Sequence, residues 1–174
     1  MKNEEEPLII LILKSIFFLV ITYFSYLLVF RRVNYIFLDN INLLIHEAGH
    51  LIFYVFGDFL QTLGGSINQL LIPVVFSFYF LRRRDIFAFS FSLFWIGDNF
   101  INISYYIIDA KHQVLPLIGA GTHDWVKILT RTGQLENYEI IGNSVFYLGA
   151  LVIVISFIVS LFYLVNGFTR PLSE

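Results

Sequence analysis

The stretch Leu43-Leu44-Ile45-His46-Glu47-Ala48-Gly49-His50-Leu51-Ile52-Phe53 sets two imidazoles and a carboxylate inside an otherwise apolar run. Its spacing predicts a helix, because residues four apart share a helical face and His46 and His50 then lie one above the other. Ionisable groups are expensive to place in apolar surroundings unless they are paired or bound to an ion. The cluster therefore reads as a functional site, and the nature of its surroundings decides the fold.

Those surroundings are apolar throughout. Of the 174 residues 57% are hydrophobic and 14% charged, above the roughly half-apolar content of soluble domains. Apolar runs cover residues 7–30, 35–59, 67–81, 86–108 and 141–165, each uninterrupted instead of alternating. Continuous runs of this length predict helices, since an open sheet in lipid leaves its backbone groups unsatisfied. The expectation is an all-α, multi-pass integral membrane protein of about five transmembrane helices in the lipid bilayer. As a single domain over 1–174, it divides into a leading helix at 7–30, a core at 35–110, an extramembrane linker at 109–140 and a last helix at 141–167. The run at 67–81 is short and reads as a candidate re-entrant segment. The lead into 7–30, Met1-Lys2-Asn3-Glu4-Glu5-Glu6, is acidic where a signal peptide is basic, so 7–30 is kept as a membrane helix in which Lys14 must snorkel or face protein.

Charge excludes some functions. A net charge of −2 with no clustered basic surface gives no reason to invoke nucleic acid. The chain has no cysteine, so disulfides, thiolate metal sites and cysteine nucleophiles are out, and any metal must be held by His and carboxylates. If every run spans, Arg31 and Arg32 lie on one side with Arg82, Arg83 and Arg84, an arrangement that favours an external N-terminus.

His46-Glu47-Ala48-Gly49-His50 matches the H-E-x-x-H pattern, in which two helical imidazoles hold zinc and the glutamate acts as general base on an attacking water. Glu47 is thus the candidate catalytic residue, and His46 and His50 the candidate zinc ligands. For a third ligand, the continuation with Gly at 53 and His at 56 fails, because Phe53 and Phe56 stand there. No other glutamate lies in the apolar runs. Asp98, Asp109, His112 and His123 remain. The linker segment His123-Asp124-Trp125 reads as a lid, an extra ligand, or an interfacial Trp anchor with solvated neighbours.

With these residues in view, the chain resembles the site-2 protease family of intramembrane zinc metalloproteases. His46-Glu47-Ala48-Gly49-His50, the element Gly64-Gly65-Ser66-Ile67-Asn68 opening the next helix, and the stretch from Asn99 through Asn102 to Asp109 and Ala110 follow the family's order. The third stretch lacks the family's Pro and has Ala110 where a Gly follows the Asp. The resemblance implies a three-helix metalloprotease core, Asp109 as third zinc ligand, Asn68 as a donor to the substrate carbonyl or oxyanion, and a membrane-embedded or membrane-proximal peptide as substrate. A non-catalytic zinc-binding regulator of the same fold is the alternative. A small transporter is the third class, for which no inverted repeat is visible.

Overall fold

The computed structural model describes residues 7–115 and 123–169, and all regular structure there is helical. The acidic lead at 1–6, most of the glycine-containing part of the linker at 116–122, and Arg170 lie outside the described residues. The helices are α1 (Leu8–Val29), α2 (Asp39–Ile52), α3 (Asp58–Arg83), α4 (Ile86–Asp109), α5 (Asp124–Arg131) and α6 (Tyr138–Thr169).

Four of them, α1, α3, α4 and α6, are long and apolar enough to cross a membrane. The expected fifth, at 35–59, is divided. Residues up to Leu38 are not helical, α2 has only 14 residues, and a 3-10 turn at Tyr54–Phe56 ends at Gly57, whose φ of 90° stops the helix. At about 1.5 Å per residue, α2 reaches roughly 21 Å, too short for a hydrocarbon layer of about 30 Å. The run at 67–81 is correspondingly longer than expected, being the apolar half of the 26-residue α3. Its first half is polar and still helical because it packs on α2, burying Thr62, Ser66, Asn68 and Gln69.

The scaffold is the antiparallel pair α4 and α6. Gly97 and Gly149 let the two backbones touch: a Cβ on Gly97 would lie 2.8 Å from the Gly149 carbonyl oxygen, and one on Gly149 would lie 2.7 Å from that of Gly97. This is the small-residue packing that helices use where burial from water supplies no driving force. Nearer the start of α4, the Ser90 and Ser160 hydroxyls are 2.6 Å apart and Ser156 Oγ donates to Ser90 O at 2.6 Å. Helix α1 lies along α6, where Lys14 Nζ donates to Tyr163 Oη at 2.8 Å. Lys14 therefore faces protein. Outward faces of α1 and α6 are lined with exposed Leu, Ile, Val and Phe, a surface suited to hydrocarbon and not to water.

The path of α2 changes the side on which two arginines lie. Arg32 stacks on Phe146 with its guanidinium carbon 3.6 Å from the ring centroid, and its carbonyl accepts from Tyr105 Oη at 3.0 Å. Both contacts are near the end of α4 and the start of α6. From there the chain turns back into the bundle, so that Asn42 meets Asp98 and Trp95 at mid-height of α4. Helix α2 then climbs back to the start of α3, at the end where Arg131 of α5 pairs with Asp58 at 3.0 Å. Arg31 and Arg32 thus lie opposite Arg82, Arg83 and Arg84, and the asymmetry behind an external N-terminus disappears.

Candidate metal centre

Helix α2 is fixed at both ends of its buried face. At its start the Asp39 carboxylate accepts from Ile36 N at 2.7 Å and from Asn42 Nδ2 at 3.1 Å, in the first turn, where the helix dipole favours negative charge. Farther along, Gly49 lies against Gly64, and a Cβ there would run into the Gly64 carbonyl oxygen. Asn68 Nδ2 donates to Ile45 O at 2.7 Å. Asn68 therefore joins α3 to the backbone of α2, one residue before His46.

His46 and His50 share the face that looks toward α5, with ring centroids 4.9 Å apart. The carboxylate that meets them is Asp124. Its Oδ2 lies 3.2 Å from His46 Nε2 and 3.2 Å from His50 Nε2. The three residues offer donor atoms within 4.8 Å of one another, an arrangement able to hold a metal ion. The second nitrogen of each ring is also occupied: His46 Nδ1 is 3.0 Å from Gln69 Oε1, and His50 Nδ1 is 2.8 Å from Gln61 O. A carbonyl oxygen can only accept, so these contacts put a proton on each Nδ1, and each Nε2 faces Asp124 as a donor when its ring is protonated and as a lone pair when it is neutral. The carboxylate thus draws positive charge to the two Nε2 atoms, as protons or as a metal ion.

The donor set fits zinc. Two imidazoles and one carboxylate are ligand types that hold zinc, and ligands about 2.0 to 2.1 Å from a tetrahedral ion stand about 3.3 Å apart. Burial pushes the Asp124 carboxyl up, but the hydrogen bonds and charge of His46 and His50 outweigh it and hold the group below the ordinary carboxylate range. Tyr106 on α4 steadies the same residue: its Oη accepts from Asp124 N at 3.2 Å and lies 3.4 Å from Oδ2. Trp125 Nε1 donates to Ser66 Oγ at 3.2 Å, which fastens α5 over α3. His123-Asp124-Trp125 is thus a packed cover and not a solvated anchor.

The remaining candidates are elsewhere. Asp109, the expected third ligand, does not reach the imidazoles. Its Oδ1 accepts from Val114 N at 2.9 Å and its Oδ2 from Leu115 N at 3.0 Å, closing the turn after α4. The physical reason is local: the N–H groups of Val114 and Leu115 in the turn after α4 need acceptors, and the carboxylate beside them is captured first. His123 lies 3.3 Å from Asp109 Oδ2 and packs on Tyr106 at 4.1 Å between centroids; burial holds its imidazole below the ordinary range. Asp98 is fully buried and accepts from Asn42 Nδ2 at 2.9 Å. His112 Nε2 sits 3.3 Å from Tyr138 Oη.

Beside the centre is a cavity of about 540 Å³ whose lining includes Tyr35, Asp39, His46, Glu47, Asn102 and Tyr106. Glu47 and the buried edge of His46 therefore face one space. Sequence reasoning missed Gln69, whose side-chain amide supports His46, and the backbone carbonyl of Gln61 that supports His50. The signal for Gln69 was an amide on a helix whose other half is apolar, and a backbone carbonyl leaves no signal in the sequence.

Neither a protein-family model, a curated protein nor a solved structure matches this chain.

Proposed function

We propose that the protein is an intramembrane zinc metalloprotease, with His46, His50 and Asp124 as zinc ligands and Glu47 as general base. The observation that carries this reading is the convergence of two Nε2 nitrogens and a carboxylate oxygen, all within 4.8 Å, next to a cavity that Glu47 also lines. A zinc ion held there would act as a Lewis acid, acidifying water and polarising a substrate carbonyl. Glu47 takes the proton from the attacking water and delivers it to the departing amine nitrogen as the peptide C–N bond breaks. A purely structural zinc site would close its fourth position and need no such base.

The four long apolar helices support reading the chain as a multi-pass membrane protein, in which α2 acts as a re-entrant helix entering and leaving at one face. The cavity opens among apolar helices, so the substrate is a membrane-embedded or membrane-proximal peptide. It must present an unwound backbone, because a helical peptide hides its carbonyls. On this reading the chain is a divergent relative of the site-2 proteases whose third ligand has moved from the end of α4 to the start of α5. Asn68, tied to Ile45 O, serves as a brace between α2 and α3 instead of an oxyanion donor.

Glu47→Gln tests the assignment. The variant is expected to keep its zinc and to lose cleavage of a membrane-embedded reporter peptide by about 10²-fold or more, the range of a lost general base. Undiminished cleavage would leave Glu47 without a catalytic role, and absence of cleavage by the wild-type chain would favour the non-catalytic regulator.

A further inference from the structure

Arg82, Arg83 and Arg84 end α3, and all three are exposed. Guanidiniums crowded this closely repel one another, so an anion among them is favoured. Among the described residues, none of the three has a carboxylate within ion-pair distance. The carboxylate next in sequence, Asp85, is engaged elsewhere: its Oδ1 accepts from Ala88 N at 3.0 Å and caps α4. At the opposite end of the bundle, Lys111 is paired with Glu136 at 2.7 Å and Arg131 with Asp58 at 3.0 Å. The end of α3 thus carries positive charge that the chain itself does not balance.

The direction of the side chains says what kind of anion fits. Helical side chains lean toward the N-terminus of their helix, so arginines at the end of α3 lie back along it. Arg82 stacks on Phe78 with its guanidinium carbon 4.6 Å from the ring centroid, and Arg83 on Tyr79 at 5.5 Å. Both charges are drawn back by about one turn, roughly 5.4 Å, toward the apolar half of the helix. That half presents Val75, Phe76, Phe78, Tyr79 and Leu81 as exposed surface. Cations stacked directly above exposed apolar side chains match a molecule whose phosphate is joined to hydrocarbon chains. A dissolved anion would meet the charges and leave the apolar surface bare.

We propose that the end of α3 is a docking surface for anionic phospholipid, with Arg82, Arg83 and Arg84 on the phosphate headgroups and Phe78 and Tyr79 against the acyl chains. The proposal needs α3 to cross the bilayer and is independent of the metal centre. Lipid held there fixes the level of the helix whose other half supports α2 through Asn68 and Gln69.

The test uses the full chain reconstituted in phosphatidylcholine vesicles. Spin-labelled phosphatidylglycerol is compared with spin-labelled phosphatidylcholine, read as the fraction of each label immobilised by the protein in its electron paramagnetic resonance spectrum. The wild-type chain is expected to prefer phosphatidylglycerol about fivefold or more, the effect of one arginine near an anionic surface. The preference is expected to fall as salt rises from about 0.1 M to about 1 M, where the Debye length shrinks from about 10 Å to about 3 Å. Arg82→Gln, Arg83→Gln and Arg84→Asn together are expected to bring it to parity; Asn suits the left-handed backbone of Arg84, whose φ is 59°. If that triple variant does not fold, each single substitution is expected to lower the preference. Lys111→Gln with Arg131→Gln is expected to leave it unchanged. Equal immobilisation of the two lipids by the wild-type chain overturns the proposal, as does an unchanged preference in the folded arginine variants or an equal loss in the Lys111 and Arg131 pair. Release of the labelled lipid by inorganic phosphate at constant ionic strength would mark a site for free anions and overturn it too.

Discussion

Around His46 the absence of a side chain matters as much as the presence of others. Gly65 lies against the ring so closely that a Cβ there would be 2.5 Å from Nε2 and 2.7 Å from Cδ2. Alanine is the better helix former, so Gly65→Ala is expected to leave α3 intact while swinging the imidazole off its line to Asp124. Zinc affinity should fall about tenfold or more, measured by chelator competition, with the helical circular dichroism unchanged. Acid should empty the centre through the histidines. Asp124 is held below the ordinary carboxylate range, so its charge persists above its unfolded pKa of about 3.9 and is lost only as pH falls through the lower folded value. The hydrogen bond to Asp124 raises the His50 imidazole to about 8, and protonation competes with metal. Zinc content is thus expected to be full above about pH 8 and to fall as pH descends below it, read by metal analysis after dialysis. Retention down to about pH 4 would mean that imidazoles are not the ligands.

Among the elements, the seam between α4 and α6 carries the scaffold, and its glycines leave no room. Gly97→Leu would drive a side chain into Ile153 and the Gly149 carbonyl, an overpacking that typically costs about 1 to 3 kcal/mol. A lowered midpoint of thermal unfolding in detergent is the expected result, and an unchanged midpoint would mean that the helices do not touch there. Helices α1, α4 and α6 were legible in the sequence because long uninterrupted apolar runs have few other solutions. Helix α2 was legible as a helix but not in its extent. The run at 35–59 looks uniformly apolar, and only the packing of Asn42 on Asp98 and Trp95 shows that it begins deep in the bundle. The polar half of α3 was unreadable for a related reason: Gln61, Asn68 and Gln69 are helical because α2 covers them. At the centre, His46, Glu47 and His50 could be read from spacing alone, which a single helix fixes. Asp124 is 78 positions from His46, and its approach depends on Tyr106 and Ser66 holding α5 in place. No local pattern distinguished it from Asp109.

On the scale of the whole molecule, the return of α2 leaves four helices long and apolar enough to cross a membrane, with Leu8 and Thr169 at one end and Arg31, Arg32, Lys111 and Arg131 at the other. The chain has no native cysteine, so single cysteines can report this without background. Cysteine at Arg31 and cysteine at Lys111 are expected to be labelled from the same side of sealed vesicles by an impermeant maleimide, and cysteine at Arg83 from the opposite side. Labelling of positions 31 and 83 from one side would restore a fifth crossing.

The centre itself is tested most directly by zinc stoichiometry of the purified chain and three variants. The expected result is one zinc per wild-type chain, retained in Asp109→Ala and lost in both Asp124→Ala and His46→Ala. Zinc retained in Asp124→Ala but lost in Asp109→Ala would contradict the assignment.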